Sequence, residues 1–155
     1  MSKLLFVVLL SVILSGCGFD KKTYDPAIAR SIMEENKAKW NGQRIRNYHI
    51  AENVGCFCPI THNVIIMVSD SVLIHVEPNT NLGEDPTQIA LSLYSFYKTI
   101  DELFSEIDSA ITNGVDNLTV EYDSDLGYPT FIDVDPISSG VDDEYSYKIS
   151  LLEIY

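Results

Sequence analysis

The spacing of apolar residues changes several times along the chain, and each change predicts a new element. Helical spacing begins after Asp25 and Pro26, a capping side chain followed by a residue suited to the first helical turn. Ile28, Ile32, Asn36 and Trp40 then recur every four residues, with Met33 beside them, and give one mostly apolar face. We therefore predict a helix from Pro26 to about Trp40, with this apolar stripe lying on a sheet.

A second helix is predicted after Thr99, which forms a capping box with Glu102. Its apolar stripe ends before Gly114, a residue type that commonly terminates helices. The stripe consists of Ile100, Leu103, Phe104, Ile107 and Ile111. The preceding stretch, residues 88–97, fits the helical and the strand period equally, so the pattern leaves it open between a helical turn and a strand.

Alternation of apolar and polar residues predicts the strands. It begins near Tyr48 and continues through a hairpin that turns at Asp70 and Ser71. Three further strands are predicted at 118–123, 130–135 and 145–155. Short connections pair neighbouring strands antiparallel, so the order α-β-β-β-α-β-β-β predicts an α+β fold, with a single antiparallel twisted sheet of about six strands and two main helices packed on one face.

The first residues carry the pattern of an export signal. Lys3 precedes an apolar run that is followed by small residues and Cys17, and the run is shorter than the ~20 residues that cross a membrane. Cysteine at this position predicts bacterial lipidation. The predicted divisions are a lipoprotein signal peptide at 1–16, a lipidated tether at 17–24 and a single α+β domain at 25–155.

Lipid on Cys17 would hold the protein outside the cytoplasm, on the cell membrane or the outer membrane. Two or more acyl chains anchor a protein stably, at ~0.8 kcal/mol per buried methylene. Gly18 stands where an aspartate would resemble an inner-membrane retention signal, which favours the outer membrane in a host with two membranes.

Composition and charge narrow the class of partner. The 155 residues are 46% apolar, which is enough for one packed core. The net charge of −13 would repel a phosphate backbone, so nucleic acid is not an expected partner. We expect contact with the membrane through the lipid on Cys17, and with another envelope protein or a glycan. No cofactor is expected.

Cys56 and Cys58 are the most reactive pair in the sequence. Because exported proteins meet an oxidising compartment, a local disulfide is the favoured interpretation and a redox pair is the alternative. His62 would add a third ligand for zinc or copper, and His49 or His75 would complete a tetrahedral site only if the fold brings it near.

Acidic residues crowd the final third of the chain. Asp123 and Asp125 are weak candidates for calcium, because Tyr128 and Val134 stand where an EF-hand loop needs Gly and Glu. A looser calcium site and a merely solvated polar face are the alternatives. A candidate binding surface is formed by Asp142, Asp143 and Glu144.

Gly127 and Pro129 predict a tight turn that presents Tyr128 at a hairpin tip. The Tyr128 ring would either cover the open end of the sheet or anchor a partner, since tyrosine suits surfaces that are apolar on one side and wet on the other.

Several motifs, taken in order, resemble an uncharacterised family of bacterial lipoproteins that carry a domain of unknown function. The motifs are Trp40, Tyr48-His49-Ile50, Cys56-Phe57-Cys58, Tyr122-Asp123 before Gly127-Tyr128-Pro129, and Asp142-Asp143-Glu144 with Tyr147. They span most of the chain after Cys17. The resemblance implies a shared scaffold and brings no established activity.

No Gly-x-Ser-x-Gly stretch and no phosphate-binding loop occurs in the sequence, so catalysis is the less favoured interpretation. We predict a membrane-anchored, extracytoplasmic lipoprotein with a noncatalytic binding or structural role in the envelope. The alternatives are a redox or metal-handling protein that uses Cys56 and Cys58, and a calcium-dependent binding module.

Overall fold

The fold was obtained as a computed structural model, which describes residues 23–58, 63–80 and 89–155. The helices are α1 (Pro26–Gln43) and α2 (Ile100–Asn113), with a 3-10 helix at Leu91–Phe96. The strands are β1 (Tyr48–Cys56), β2 (Asn63–Ser69), β3 (Val72–Pro78), β4 (Asn117–Tyr122), β5 (Pro129–Asp135) and β6 (Tyr145–Ile154). Among the helices in the described part of the chain, there is no candidate for a membrane span.

The six strands form one antiparallel sheet in the order β3-β2-β1-β6-β5-β4. The central pair joins β1 to β6, which places Cys56 opposite Tyr145 at one end and Tyr48 opposite Ile154 at the other. The predicted α+β class and element order are confirmed. Residues 88–97, which the pattern left undecided, contain the 3-10 helix rather than a strand.

Helix α2 is the main core helix, as its sequence predicted. Thr99 and Glu102 form the capping box at its start, and Gly114 ends it in the left-handed conformation, with φ of 70°. Its buried side chains are Ile100, Leu103, Phe104, Ile107, Ala110 and Ile111. Burial of a large apolar side chain contributes roughly 1.5–3 kcal/mol, so this helix supplies much of the driving force for folding.

The predicted apolar stripe of α1 is wrong in part. Ile28 is 60% exposed and Ile32 is 45% exposed, whereas Met33 and Trp40 are each only 3% exposed. Trp40 is buried because it packs on Tyr48 and Tyr128, with ring centroids 5.6 and 6.1 Å away. Ile28 and Ile32 instead line an open depression beside Ile107 of α2. Asp25 caps α1 as predicted, accepting a hydrogen bond from the Ala27 backbone amide at 2.8 Å.

The β4–β5 turn packs directly on α1 through Gly127. This glycine has φ of +81°, and a Cβ atom at its position would lie 2.6 Å from the Asn36 carbonyl oxygen and 3.0 Å from the Lys39 Cβ. Positive φ and close backbone approach both require glycine. Lys39 also donates a hydrogen bond to the Ser124 carbonyl oxygen at 2.9 Å, so the turn and the helix hold each other in place.

We predict that Gly127→Ala lowers the free energy of unfolding by about 2–4 kcal/mol, because it adds left-handed strain and a backbone clash. Urea unfolding followed by circular dichroism measures the loss. Gly42→Ala is the matched control, since a Cβ atom there meets nothing within 4 Å. That substitution should stabilise α1 by up to about 1 kcal/mol, and equal effects of the two variants would contradict the packing argument.

Candidate functional site

Two of the predicted sites meet at one end of the sheet. Cys56 ends β1 opposite Tyr145, and the acidic residues 142–144 immediately precede Tyr145. A cavity of about 330 Å³ lies between them, and we call it the disulfide-end cavity. Its lining includes Gly55, Cys56, Phe57, Asp133, Asp142, Glu144, Tyr145 and Ser146. The Phe57 side chain is 81% exposed at its rim.

Cys56 and Cys58 form a disulfide, with their Cα atoms 5.2 Å apart. That separation lies within the range that disulfides require. Sulfurs that are bridged are not thiolates, so zinc or copper binding by this pair requires its reduced form, and the metal role stays a prediction. His62 lies outside the described residues, and a redox role for the cysteine pair stays a prediction.

A group of three carboxylates lies beside this cavity. Asp135, Asp143 and Glu144 each offer an oxygen, and these oxygens lie within 4.8 Å of one another. Asp135 Oδ1 and Asp143 Oδ1 are buried and accept no hydrogen bond within the described parts of the chain. Desolvation, followed by the charges of Glu144 and Asp143, raises the pKa of Asp135. Carboxylate oxygens in such a group are ligands that a hard cation such as Ca²⁺ prefers.

The weak metal candidates Asp123 and Asp125 do not belong to this group. Asp123 Oδ1 accepts hydrogen bonds from the backbone amides of Asp125, at 3.0 Å, and Leu126, at 2.7 Å. This geometry closes the turn after β4, at the opposite end of the strand from Asn117, the neighbour of Asp135 in β5. The carboxylate of Asp123 therefore has a structural use in the β4–β5 turn.

Tyr128 does not present its ring to a partner. It is 9% exposed and contacts Trp40 edge to face, with ring centroids 6.1 Å apart. Trp40 makes a second edge contact with Tyr48 at 5.6 Å. Because the turn at Gly127 folds onto α1, Tyr128 lies in the core and covers the end of the sheet, which is the first of the two roles predicted for its ring.

Glu52 is a buried ionisable residue that sequence reasoning missed. It is 1% exposed, and its carboxylate oxygens accept hydrogen bonds from the Lys98 backbone amide at 3.1 and 3.4 Å. Burial raises its pKa to about 8, against the lowering effect of the Lys98 amide and the Lys98 charge. The signal was present in the sequence, because Glu52 has the same parity in β1 as the core residues Tyr48 and Ile50.

Tyr48 makes a similar contact with the first residue of α2. Its hydroxyl accepts a hydrogen bond from the Ile100 backbone amide at 2.9 Å, and burial raises the pKa of the phenol. Strand β1 thus provides acceptors for two backbone amides at the start of α2. An amide left unpaired in this buried position would cost roughly 1–3 kcal/mol.

The fold and this end of the sheet define a small α+β protein with a local disulfide beside a cluster of carboxylates. The chain belongs to DUF6174, a family of unknown function, whose model matches residues 33–154. The match confirms the predicted membership of an uncharacterised family and covers every described strand. No curated protein and no solved structure matches the chain.

Stability should fall as the pH rises from about 5 to 8, because of Glu52. The folded protein holds the Glu52 proton up to a pKa of about 8, whereas the unfolded chain releases it near 4.5. The stabilisation is therefore complete at acid pH and is lost as the pH approaches the folded pKa. Glu52→Gln should flatten this dependence in urea unfolding measured at each pH.

Glu121→Gln, at an exposed position on β4, is the matched control and should keep the wild-type slope. A wild-type protein whose stability is constant between pH 5 and 8, or a Glu52→Gln variant with an unchanged slope, would contradict the assignment.

Proposed function

We propose that this chain is a lipid-anchored, extracytoplasmic binding protein, and that its disulfide-end cavity receives a basic segment of another envelope protein. The observation that carries the proposal is the exposed Phe57 ring beside the carboxylates of Asp142 and Glu144, in one cavity. An aromatic anchor surrounded by charge is a common arrangement at protein interfaces, and the carboxylates select for Lys or Arg in the partner.

The lipid anchor is supported by the signal pattern that ends at Cys17. Thr23, the first residue that the structure describes, lies near the end of the sheet that contains Asp135. Its backbone amide donates a hydrogen bond to the Asp116 carbonyl oxygen at 3.1 Å. Asp116 in turn donates from its amide to the Asp135 carbonyl oxygen at 3.1 Å. A tether from Cys17 to Thr23 reaches roughly 20 Å when extended, so the disulfide-end cavity would operate near the membrane surface.

The disulfide also supports a location outside the cytoplasm. Disulfides persist in oxidising environments outside the cytoplasm and are rare in reducing ones. A bridge across so short a loop contributes only about 1.6 kcal/mol on the chain-entropy model. Its main effect is therefore local: it fixes the backbone from which Phe57 projects, so that less conformational entropy is lost when a partner binds.

Capture from membranes tests the binding role. The full-length protein, cross-linked in cells and purified in mild detergent, should recover a basic envelope protein, and Phe57→Ala should reduce the recovery roughly tenfold or more. Leu91→Ala is the matched control, because Leu91 is 80% exposed and lies outside this cavity. Asp142→Asn with Glu144→Gln should weaken capture and reduce its dependence on salt.

Recovery of the chain alone would overturn the binding proposal. The anchor has its own test, in which Cys17→Ser should abolish acylation, as seen by mass spectrometry, and should remove the mature protein from the membrane fraction. An unacylated wild-type Cys17 would overturn the anchor while leaving the test of the cavity intact.

Calcium binding is a second candidate function. It is favoured by buried oxygens of Asp135 and Asp143 that accept no hydrogen bond from any residue the structure describes. These oxygens and Glu144 lie at the edge of the proposed binding cavity. A cation held there would offset the mutual repulsion of the carboxylates. It would also order the loop before β6, where Gly140 lies so close to Asp143 that a Cβ atom would be 2.5 Å from Asp143 Oδ1.

Millimolar Ca²⁺ should then raise the melting temperature, because a ligand at 100 times its Kd stabilises by about 2.7 kcal/mol. Differential scanning fluorimetry measures the shift, and Asp135→Asn should remove it. Asp133→Asn is the matched control, since Asp133 lies on the same strand outside the cluster of three carboxylates. An absence of any shift with wild-type protein would dismiss the calcium function.

A further inference from the structure

A basic segment stands out in this acidic chain. No acidic residue occurs between Glu35 and Glu52, whereas the segment contains Lys37, Lys39, Arg44 and Arg46. The strand register places it at the Tyr48 end of the sheet, because Tyr48 begins β1 and Cys56 ends it. These cations are therefore separated from the disulfide-end cavity by the length of β1, roughly 3.3 Å per residue.

A second cavity of about 390 Å³ lies at this basic end, and we call it the arginine cavity. Its lining includes Trp40, Arg44, Arg46, Ser71 and Asp101. Arg46 is neutralised by an ion pair with Asp70, with Nη2 and Oδ1 2.6 Å apart. The guanidinium of Arg44 forms no hydrogen bond and no ion pair with any residue that the structure describes. The arginine cavity therefore holds one uncommitted cation.

Arg44 also occupies an unfavourable backbone conformation. It ends α1 in the left-handed region, with φ of 57°, at a position where helices usually place glycine. The neighbouring Asp70 and Ser71 have φ of 53° and 64°, which the hairpin turn between β2 and β3 requires. The end of α1 uses the left-handed conformation too, with the Arg44 amide donating to the Asn41 carbonyl oxygen at 3.2 Å, so the unusual feature is an arginine where glycine is common. Strained residues of this kind persist at ligand-binding positions, where the side chain has a use.

We propose that the arginine cavity binds a carboxylate or phosphate group of a soluble ligand, with Arg44 as the principal contact. The planar guanidinium matches both anions with two parallel hydrogen bonds. Because Arg46 is paired with Asp70, Arg44 is the cation that contacts the anion, while Asp101 limits affinity because it places a carboxylate in the same cavity. This site is independent of the proposed partner surface, so failure of the capture experiment does not bear on it.

The chain contains a single tryptophan, Trp40, and this residue lines the arginine cavity. Its fluorescence can therefore report binding while inorganic phosphate, and separately acetate, is titrated at constant ionic strength. We expect a saturable change with at least one of the two anions. Arg44→Gln should weaken binding roughly tenfold or more, the loss expected for one charge-assisted contact. Lys148→Gln, which removes an exposed cation of β6, should leave the affinity unchanged.

Two further variants separate a binding role from a structural one. Arg44→Gly should raise the melting temperature by a few degrees, because glycine relieves the left-handed strain, and should abolish anion binding at the same time. Asp101→Asn should tighten binding severalfold, because it removes a repulsive charge.

Equal affinities of wild type and Arg44→Gln, or no saturable change with either anion, would overturn the proposal. So would a loss of affinity in Lys148→Gln equal to that in Arg44→Gln. Saturation by phosphate alone or by acetate alone would support the site and identify which anionic group it accepts.

Discussion

The start of α2 is held by two side chains of β1, and the rest of the fold depends on that junction. Tyr48 accepts from the Ile100 amide and Glu52 accepts from the Lys98 amide, so the central strand fixes where the main core helix begins. Six buried side chains of α2 then take their places over the sheet. Helix α1 packs on α2 in turn, which makes its position a consequence of the same contacts.

Strand β1 also connects the two ends of the sheet at which the two cavities lie. Its last residue, Cys56, begins the disulfide beside the carboxylates, and its first residue, Tyr48, lies next to the aromatic contact with Trp40. The two cavities differ in charge because different segments reach the two ends of β1: residues 142–144 at one end and residues 37–46 at the other. Strand β1 thus separates a cavity whose charged lining residues are all acidic from one whose lining contains two arginines and Asp101.

Features set by neighbouring residues were predictable from the sequence, and features set by packing partners were not. The capping box of Thr99 and Glu102 and the hairpin at Asp70 are local, so their residue types sufficed. For α1, the predicted stripe contains both the buried Met33 and the exposed Ile28, and which side chains are buried depends on the partners that pack against the helix. The meeting of Cys56 with residues 142–144 depends on the register of β1 against β6, which no local pattern encodes. The burial of Glu52 could have been predicted from its position in the alternation of β1, whereas its hydrogen bond with the Lys98 amide could not.

The hydrogen bond from the Thr23 amide to the Asp116 carbonyl oxygen fixes the start of the described chain at one end of the domain. That end is the one that contains Asp135, Asp143 and Glu144. On an anionic bilayer, with the anchor as proposed, the lipid draws this end toward the surface while like charge pushes it away within a screening distance of about 8 Å. These two opposing forces would keep the tether extended, and the salt concentration would set the distance between the domain and the membrane surface.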